Sequence, residues 1–245
     1  MIWGTFGPVH ILTLVLGAVM VVGLYYGLKK ASRKVQTLVL GVLSFSGIAA
    51  IVYNLVMWGS PLEYLPLHLC SINAILLPIV VFTRSKTLGN LLLVWSLGAA
   101  AALVMNQSVA SASITSSVFF FYYFPHVMEF GIPILLFKLG LVKKDPRCIG
   151  STIGITMAIY TLVHCANLAL NTYCAANKIL ADGAVIKVNY MFSITPENPL
   201  LAAFYKVIPH PYWYMYMIVP ILVVYLLVVY APQLRKRMVH HASLV

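Results

Sequence analysis

The chain has 245 residues, of which 62% are hydrophobic and 9% charged, with a mean hydropathy of +0.94 and a formal net charge of +11. A soluble domain cannot hide that much apolar surface, so the composition excludes an ordinary soluble enzyme and points to a polytopic membrane protein. Nucleic-acid binding is not the best reading of the charge, because most basic residues fall in short clusters between apolar segments, where they act as topology signals.

Seven apolar segments approach the roughly 20 residues that a bilayer crossing requires. The first, about Val9–Leu28, carries His10 and Thr13 and is followed by Lys29, Lys30, Arg33 and Lys34. Before it, Met1–Pro8 has neither a basic leader nor a small-residue cleavage site, so no cleaved signal peptide is expected. The second, about Gln36–Trp58, carries Tyr53 and Asn54. The third, about Leu65–Phe82, holds Cys70 and Asn73 between Pro66 and Pro78, and Arg84 and Lys86 follow it. The fourth covers about Leu88–Met105. Along the fifth, about Val118–Val142, helical spacing puts Tyr122, His126, Glu129 and Pro133 on one face. Lys138, Lys143, Lys144 and Arg147 close it.

The sixth segment, about Ile149–Ala175, lines up Tyr160, His164, Asn167, Asn171 and Cys174. A long connection, about Ala176–Pro211, then carries the turn signal Asp182-Gly183 and the apolar run Leu200–Tyr205. Its length marks it as a lid, a re-entrant cap or a loop with short elements of its own. The seventh segment, about Tyr212–Pro232, opens on an aromatic run suited to a membrane interface and precedes Arg235, Lys236 and Arg237. Only Lys178, Lys187 and Lys206 fall on the opposite side from the basic clusters. The positive-inside rule therefore places the N-terminus outside and the C-terminus in the cytoplasm. The expectation is a single all-α domain over residues 1–245, with seven transmembrane helices and the long loop extracytoplasmic.

The polar side chains lie mainly in the outer halves of these segments, whereas Ala18–Leu28, Ala74–Phe82 and Ile132–Leu136 are almost wholly apolar. A conducting path would need polar groups through the full thickness, so the pattern describes a pocket closed at the bottom, as in an enzyme or receptor. Within that pocket Cys70 and His126 share a similar depth. A thiol beside an imidazole base, with Glu129 one turn on as the base's orienting partner, has the logic of nucleophilic catalysis. Asn73, Asn167 or Asn171 could steady an oxyanion. Alternatively His10, His126, His164 and Glu129 could hold a metal for lipid hydrolysis, although no local ligand motif is present. A non-catalytic lipid- or ligand-binding protein is a third reading. A disulfide between Cys70 and Cys174, both toward the oxidising side, is also compatible with the sequence.

Four short stretches carry a resemblance: Phe6-Gly-Pro-Val-His10, Leu65-Pro-Leu-His-Leu-Cys70, Tyr122-Tyr-Phe-Pro-His126-Val-Met and Asn189-Tyr-Met191. They resemble the YwaF family of bacterial integral membrane proteins, which is related to the eukaryotic transmembrane protein 164, a lipid acyltransferase. The resemblance implies a seven-helix enzyme of the cell membrane (the bacterial cytoplasmic membrane) that moves a fatty acyl group between phospholipids through an acyl-thioester. It places the family's cysteine on Cys70 and its histidine on His126. The pocket is expected to include His10, Asn73, Tyr122, His164, Asn167, Asn171, Asn189 and Tyr190. Membrane phospholipids are the expected partners, and no soluble cofactor is needed because a donor lipid brings its own ester.

Overall fold

A computed structural model of the chain describes residues 1–58, 60–197 and 199–242. The side chains of residues 236–242, including Lys236, Arg237, His240 and His241 of the basic tail, lie outside the described residues. Helix dominates, and six helical stretches are long and apolar enough to cross a membrane. The protein is an all-α polytopic membrane protein. The helices fall into two compact units, Met1–Val142 and Lys143–Val245.

The first unit begins with an extended strap whose Trp3 is 1% exposed. It enters α1 (Pro8–Leu28), with proline at the first helical position, where a missing N–H costs nothing. Next come α2 (Arg33–Ser44) and α3 (Ser46–Met57), which together make one apolar 25-residue stretch broken at Phe45. At the break the Ser44 hydroxyl donates to the Gly41 carbonyl at 2.6 Å, a local bond that competes with the helical ladder.

The third apolar segment differs from its expected span. Helix α4 (Leu69–Thr83) has only 15 residues, about 22 Å of rise against a hydrocarbon core of about 30 Å. Pro66 drives Leu65 out of helical backbone, and the chain is still extended at His68 (φ −72, ψ 153), so the helix begins only at Leu69.

Helix α5 (Lys86–Met105) is the most enclosed of the candidate spans and contributes the fully buried Leu91 and Leu92. Helix α6 (Ser117–Lys138) packs on all five preceding helices, and its Ile132 and Leu136 sit at the centre of the unit. Its expected extension to Val142 fails at Gly140, whose φ of +67 stops the helix. The Leu141 N–H returns to the Leu136 carbonyl at 2.8 Å, and the Arg33 guanidinium donates to the freed Leu139 carbonyl at 2.6 Å.

The second unit starts with α7 (Cys148–Ala176), close to its expected bounds. The long connection does hold short elements. Strands β1 (Leu180–Ala181) and β2 (Ala184–Val185) form a hairpin about Asp182 and Gly183, with φ of +50 and +80, the left-handed pair that this tight turn requires. A single 3-10 turn spans Tyr190–Phe192, and helix α8 (Pro199–Val207) buries Leu201 and Phe204 around Tyr214. The last described element is α9 (Ile218–Ala242), whose apolar stretch is continuous with the preceding turn from Trp213.

Candidate active site

Helix α6 places Tyr122, His126 and Glu129 on one face, and α4 packs against that helix. The imidazole of His126 is 8% exposed. Its Nδ1 makes a 2.6 Å hydrogen bond to the Tyr122 carbonyl one turn earlier. A carbonyl can only accept, so the proton sits on Nδ1 and Nε2 keeps its lone pair. Among the described residues nothing hydrogen-bonds Nε2. The Tyr122 ring lies against the imidazole, centroids 4.3 Å apart, and its hydroxyl is tied to the Ala102 carbonyl of α5 at 2.9 Å. The ring is thus fixed from two sides, with its basic nitrogen left open.

Cys70 is half-buried at the second residue of α4 and lies within electrostatic reach of both Tyr122 and Glu129. Those two residues bracket His126 on the same face of α6. The first intrahelical bond of α4 is the Ile72 N–H to the His68 carbonyl, so the N–H groups of Leu69, Cys70 and Ser71 have no helical partner. Those of Cys70 and Ser71 approach the Cys70 sulfur. Sequence reasoning sought oxyanion donors among asparagine side chains and missed this helix terminus. The signal available in the sequence was Pro66, which bars helical backbone at Leu65 and so puts a helix start near Cys70.

Residues 5–230 match the TMEM164 family. The chain belongs to the TMEM164 family. No curated protein and no solved structure matches it.

The remaining expected site residues of this TMEM164-family chain fall into two groups. Glu129 and Asn73 are 3% and 1% exposed and lie beside each other. Glu129 Oε2 and both amide atoms of Asn73 complete no hydrogen bond. Glu129 does not orient His126, as the sequence suggested, because the Tyr122 carbonyl has taken the ring nitrogen that a carboxylate would have held. The other carboxyl oxygen, Oε1, faces Gly47 of α3. A Cβ on Gly47 would stand 2.5 Å from the Ala74 Cβ and 3.1 Å from Oε1. Gly47→Ala is therefore expected to push α3 off α4 and α6 and cost about 1–3 kcal/mol of stability, as overpacking does. A lowered melting temperature of purified protein in detergent would show it; an unchanged melt would mean the three helices do not meet this tightly.

The second group is committed to holding the fold. His10, fully buried, accepts the Phe6 N–H at Nδ1 (2.8 Å) and reaches the Leu103 carbonyl with Nε2 (2.8 Å), so neither ring nitrogen is left for a substrate or a metal. Trp3 stands edge-on to that ring and donates to Thr13 Oγ1 at 2.7 Å. In the second unit, Asn167 donates to the Tyr190 carbonyl and accepts the Tyr190 N–H (2.8 and 3.0 Å). One turn on, Asn171 does the same for Val188 (3.0 and 2.7 Å). His164 Nδ1 and Asn167 both reach the Ser193 hydroxyl, at 2.9 and 2.8 Å. Asn189 ties its own loop through Thr195, Ile194 and Glu197, and Tyr190 is buried. The two amides expected to face a substrate are thus spent on loop backbone. Asn167→Leu should remove the amide that accepts the Tyr190 N–H, leave the Tyr190 carbonyl only the longer bond from the Ser193 N–H, and cost about 1–3 kcal/mol. Faster hydrogen exchange at Tyr190, with the α7 amides unchanged, is the expected readout.

A metal centre finds no such support. Among the described residues no three His, Cys, Asp or Glu side chains come together to hold an ion. All four cysteines are free thiols, Cys70 and Cys174 included.

Proposed function

We propose that this chain is a membrane-embedded lipid acyltransferase that carries the acyl group as a thioester on Cys70. The observation that supports it most is the His126 ring, held through Nδ1 with no partner on Nε2 among the described residues, on the α6 face between Tyr122 and Glu129, both of which lie within electrostatic reach of the Cys70 thiol. His126 Nε2 takes the Cys70 proton as the sulfur attacks the ester carbonyl of a donor phospholipid. The tetrahedral intermediate carries its negative charge on the former carbonyl oxygen, where the N–H groups at the start of α4, which have no helical partner, can turn from the sulfur to meet it. Its collapse breaks the ester C–O bond, and the imidazolium returns the proton to the departing lysolipid oxygen. The second half runs in reverse: an acceptor lipid hydroxyl gives its proton to Nε2, attacks the thioester carbonyl and frees the thiol. One acyl bond is broken and one made, with no redox change and no soluble cofactor.

By the distribution of Lys and Arg, the site opens toward the outer leaflet of the cell membrane. Phospholipids are the substrates because the ester must be delivered within the bilayer. To test this, protein in nanodiscs is mixed with phospholipids bearing alkyne-tagged acyl chains. The tag should appear on the protein, map to Cys70 and be released by neutral hydroxylamine. A protein that remodels lipid without ever carrying the tag would refute a thioester route.

A further inference from the structure

One carboxylic acid beside the thiol is left without a task by the chemistry above. Glu129 lies in the membrane-spanning part of α6, is 3% exposed, and among the described residues forms no ion pair. An isolated carboxylate there is costly, whereas a carboxylic acid is neutral and carries an O–H. Oε1 is pressed toward Gly47, and Oε2 is buried with no hydrogen-bond partner. Asn73, one turn below Cys70 on α4, lies close enough to steady the Glu129 carboxyl, and its amide completes no hydrogen bond elsewhere. Buried polar atoms are nearly always satisfied, so an adjacent acid and amide that have only each other and still leave hydrogen-bonding capacity unspent, at a site reaching the nucleophile, point to a guest that supplies the rest.

Resting on the thioester reading of Cys70, we propose that Glu129 in its protonated form, backed by Asn73, donates a hydrogen bond to the oxygen that becomes negative when the Cys70 sulfur adds to the acyl carbonyl. The guest is then the ester or thioester carbonyl of the acyl lipid, and Glu129 is a catalytic residue in its own right. Its proton stays on the carboxyl oxygen throughout; the proton that moves is the thiol's, to His126 and on to the leaving hydroxyl. The donor complements the N–H groups at the α4 terminus, which approach from the sulfur's own helix. A neutral acid suits this place better than a carboxylate, because a full negative charge beside the sulfur would oppose the thiolate.

The test separates a donor from a base. Glu129→Gln keeps a hydrogen-bond donor of the same shape, and Glu129→Leu removes it with similar volume. Single-turnover labelling of Cys70 is measured in nanodiscs of phosphatidylcholine, phosphatidylethanolamine and phosphatidylglycerol with alkyne-tagged chains. Cys70→Ala is the blank, and a thermal melt checks each fold. The expected result is labelling by the Gln variant within about tenfold of the unaltered protein and by the Leu variant about 100-fold slower or more, the usual loss on removing one oxyanion donor. If Gln proves as slow as Leu, the carboxylate is a base and the proposal falls. It falls equally if Leu labels at the full rate. A Leu variant that does not fold is replaced by Glu129→Met, read the same way. Absence of label on Cys70 in the unaltered protein would instead remove the thioester reading, and this inference with it.

Discussion

Replacing Cys70 by alanine is expected to abolish both acyl capture and acyl transfer while the membrane fold survives. The side chain lost is one sulfur atom of a half-buried residue at the first turn of α4. Its packing contribution is on the order of a buried methylene, about 0.8 kcal/mol. The chemistry lost is the bond-forming atom itself, and removing a nucleophile costs a covalent enzyme at least about 1000-fold. Serine at the same position gives a sharper contrast. Its hydroxyl is a weaker nucleophile, and any acyl group it captures is an oxygen ester that resists neutral hydroxylamine. Transfer rate, label on the protein and the melting curve would be recorded for both variants. Alanine protein that remodels lipid at the full rate would leave no place for the sulfur in the reaction.

His126→Ala is expected to slow formation of the acyl-enzyme by about 100- to 10,000-fold, the range for loss of a positioned general base. The structure makes the effect specific to one nitrogen. His126→Asn could still reach back toward the Tyr122 carbonyl but offers no basic nitrogen in place of Nε2, so it should be nearly as slow as alanine. In both variants the rate should climb steadily with pH, since thiolate formation then depends on hydroxide, whereas the unaltered protein should flatten once the imidazole is neutral. Labelling of Cys70 by an alkylating probe, followed against pH, measures this without any lipid. Identical profiles for variant and unaltered protein would detach the imidazole from the thiol.

The membrane segments were legible because their signals are one-dimensional: apolar length, basic clusters and prolines. α1, α5 and α7 lie within about two residues of their expected bounds. The misreadings have local causes. Leu139–Val142 continues an apolar run, yet Gly140 ends α6 by its backbone conformation. Leu65–His68 read as the start of the third span, but Pro66 bars helical backbone at Leu65 and the chain is still extended at His68.

Of the candidate site, depth and helical spacing singled out Cys70 together with Tyr122, His126 and Glu129 of α6, and the thiol lies within electrostatic reach of Tyr122 and Glu129. The partners of each polar atom could not. Glu129 was assigned to His126 because the two are a turn apart, but a backbone carbonyl four residues back was closer to the ring. Asn167 and Asn171 sit in an apolar helix and looked functional on that ground. Their partners come from residues about 20 positions later, and spacing along one helix carries no record of such a loop.

That asparagine pair has a consequence for how the chain tolerates changes in length. The two amides are one helical turn apart on α7 and grip residues 188 and 190, skipping the one between, as a neighbouring strand would. Inserting or deleting a single residue between those anchor points would present the wrong backbone unit to Asn167 and turn the buried Tyr190 outward. Length variation among natural versions of this protein should therefore collect at the hairpin tip around Asp182 and Gly183, and spare the short stretch gripped by α7.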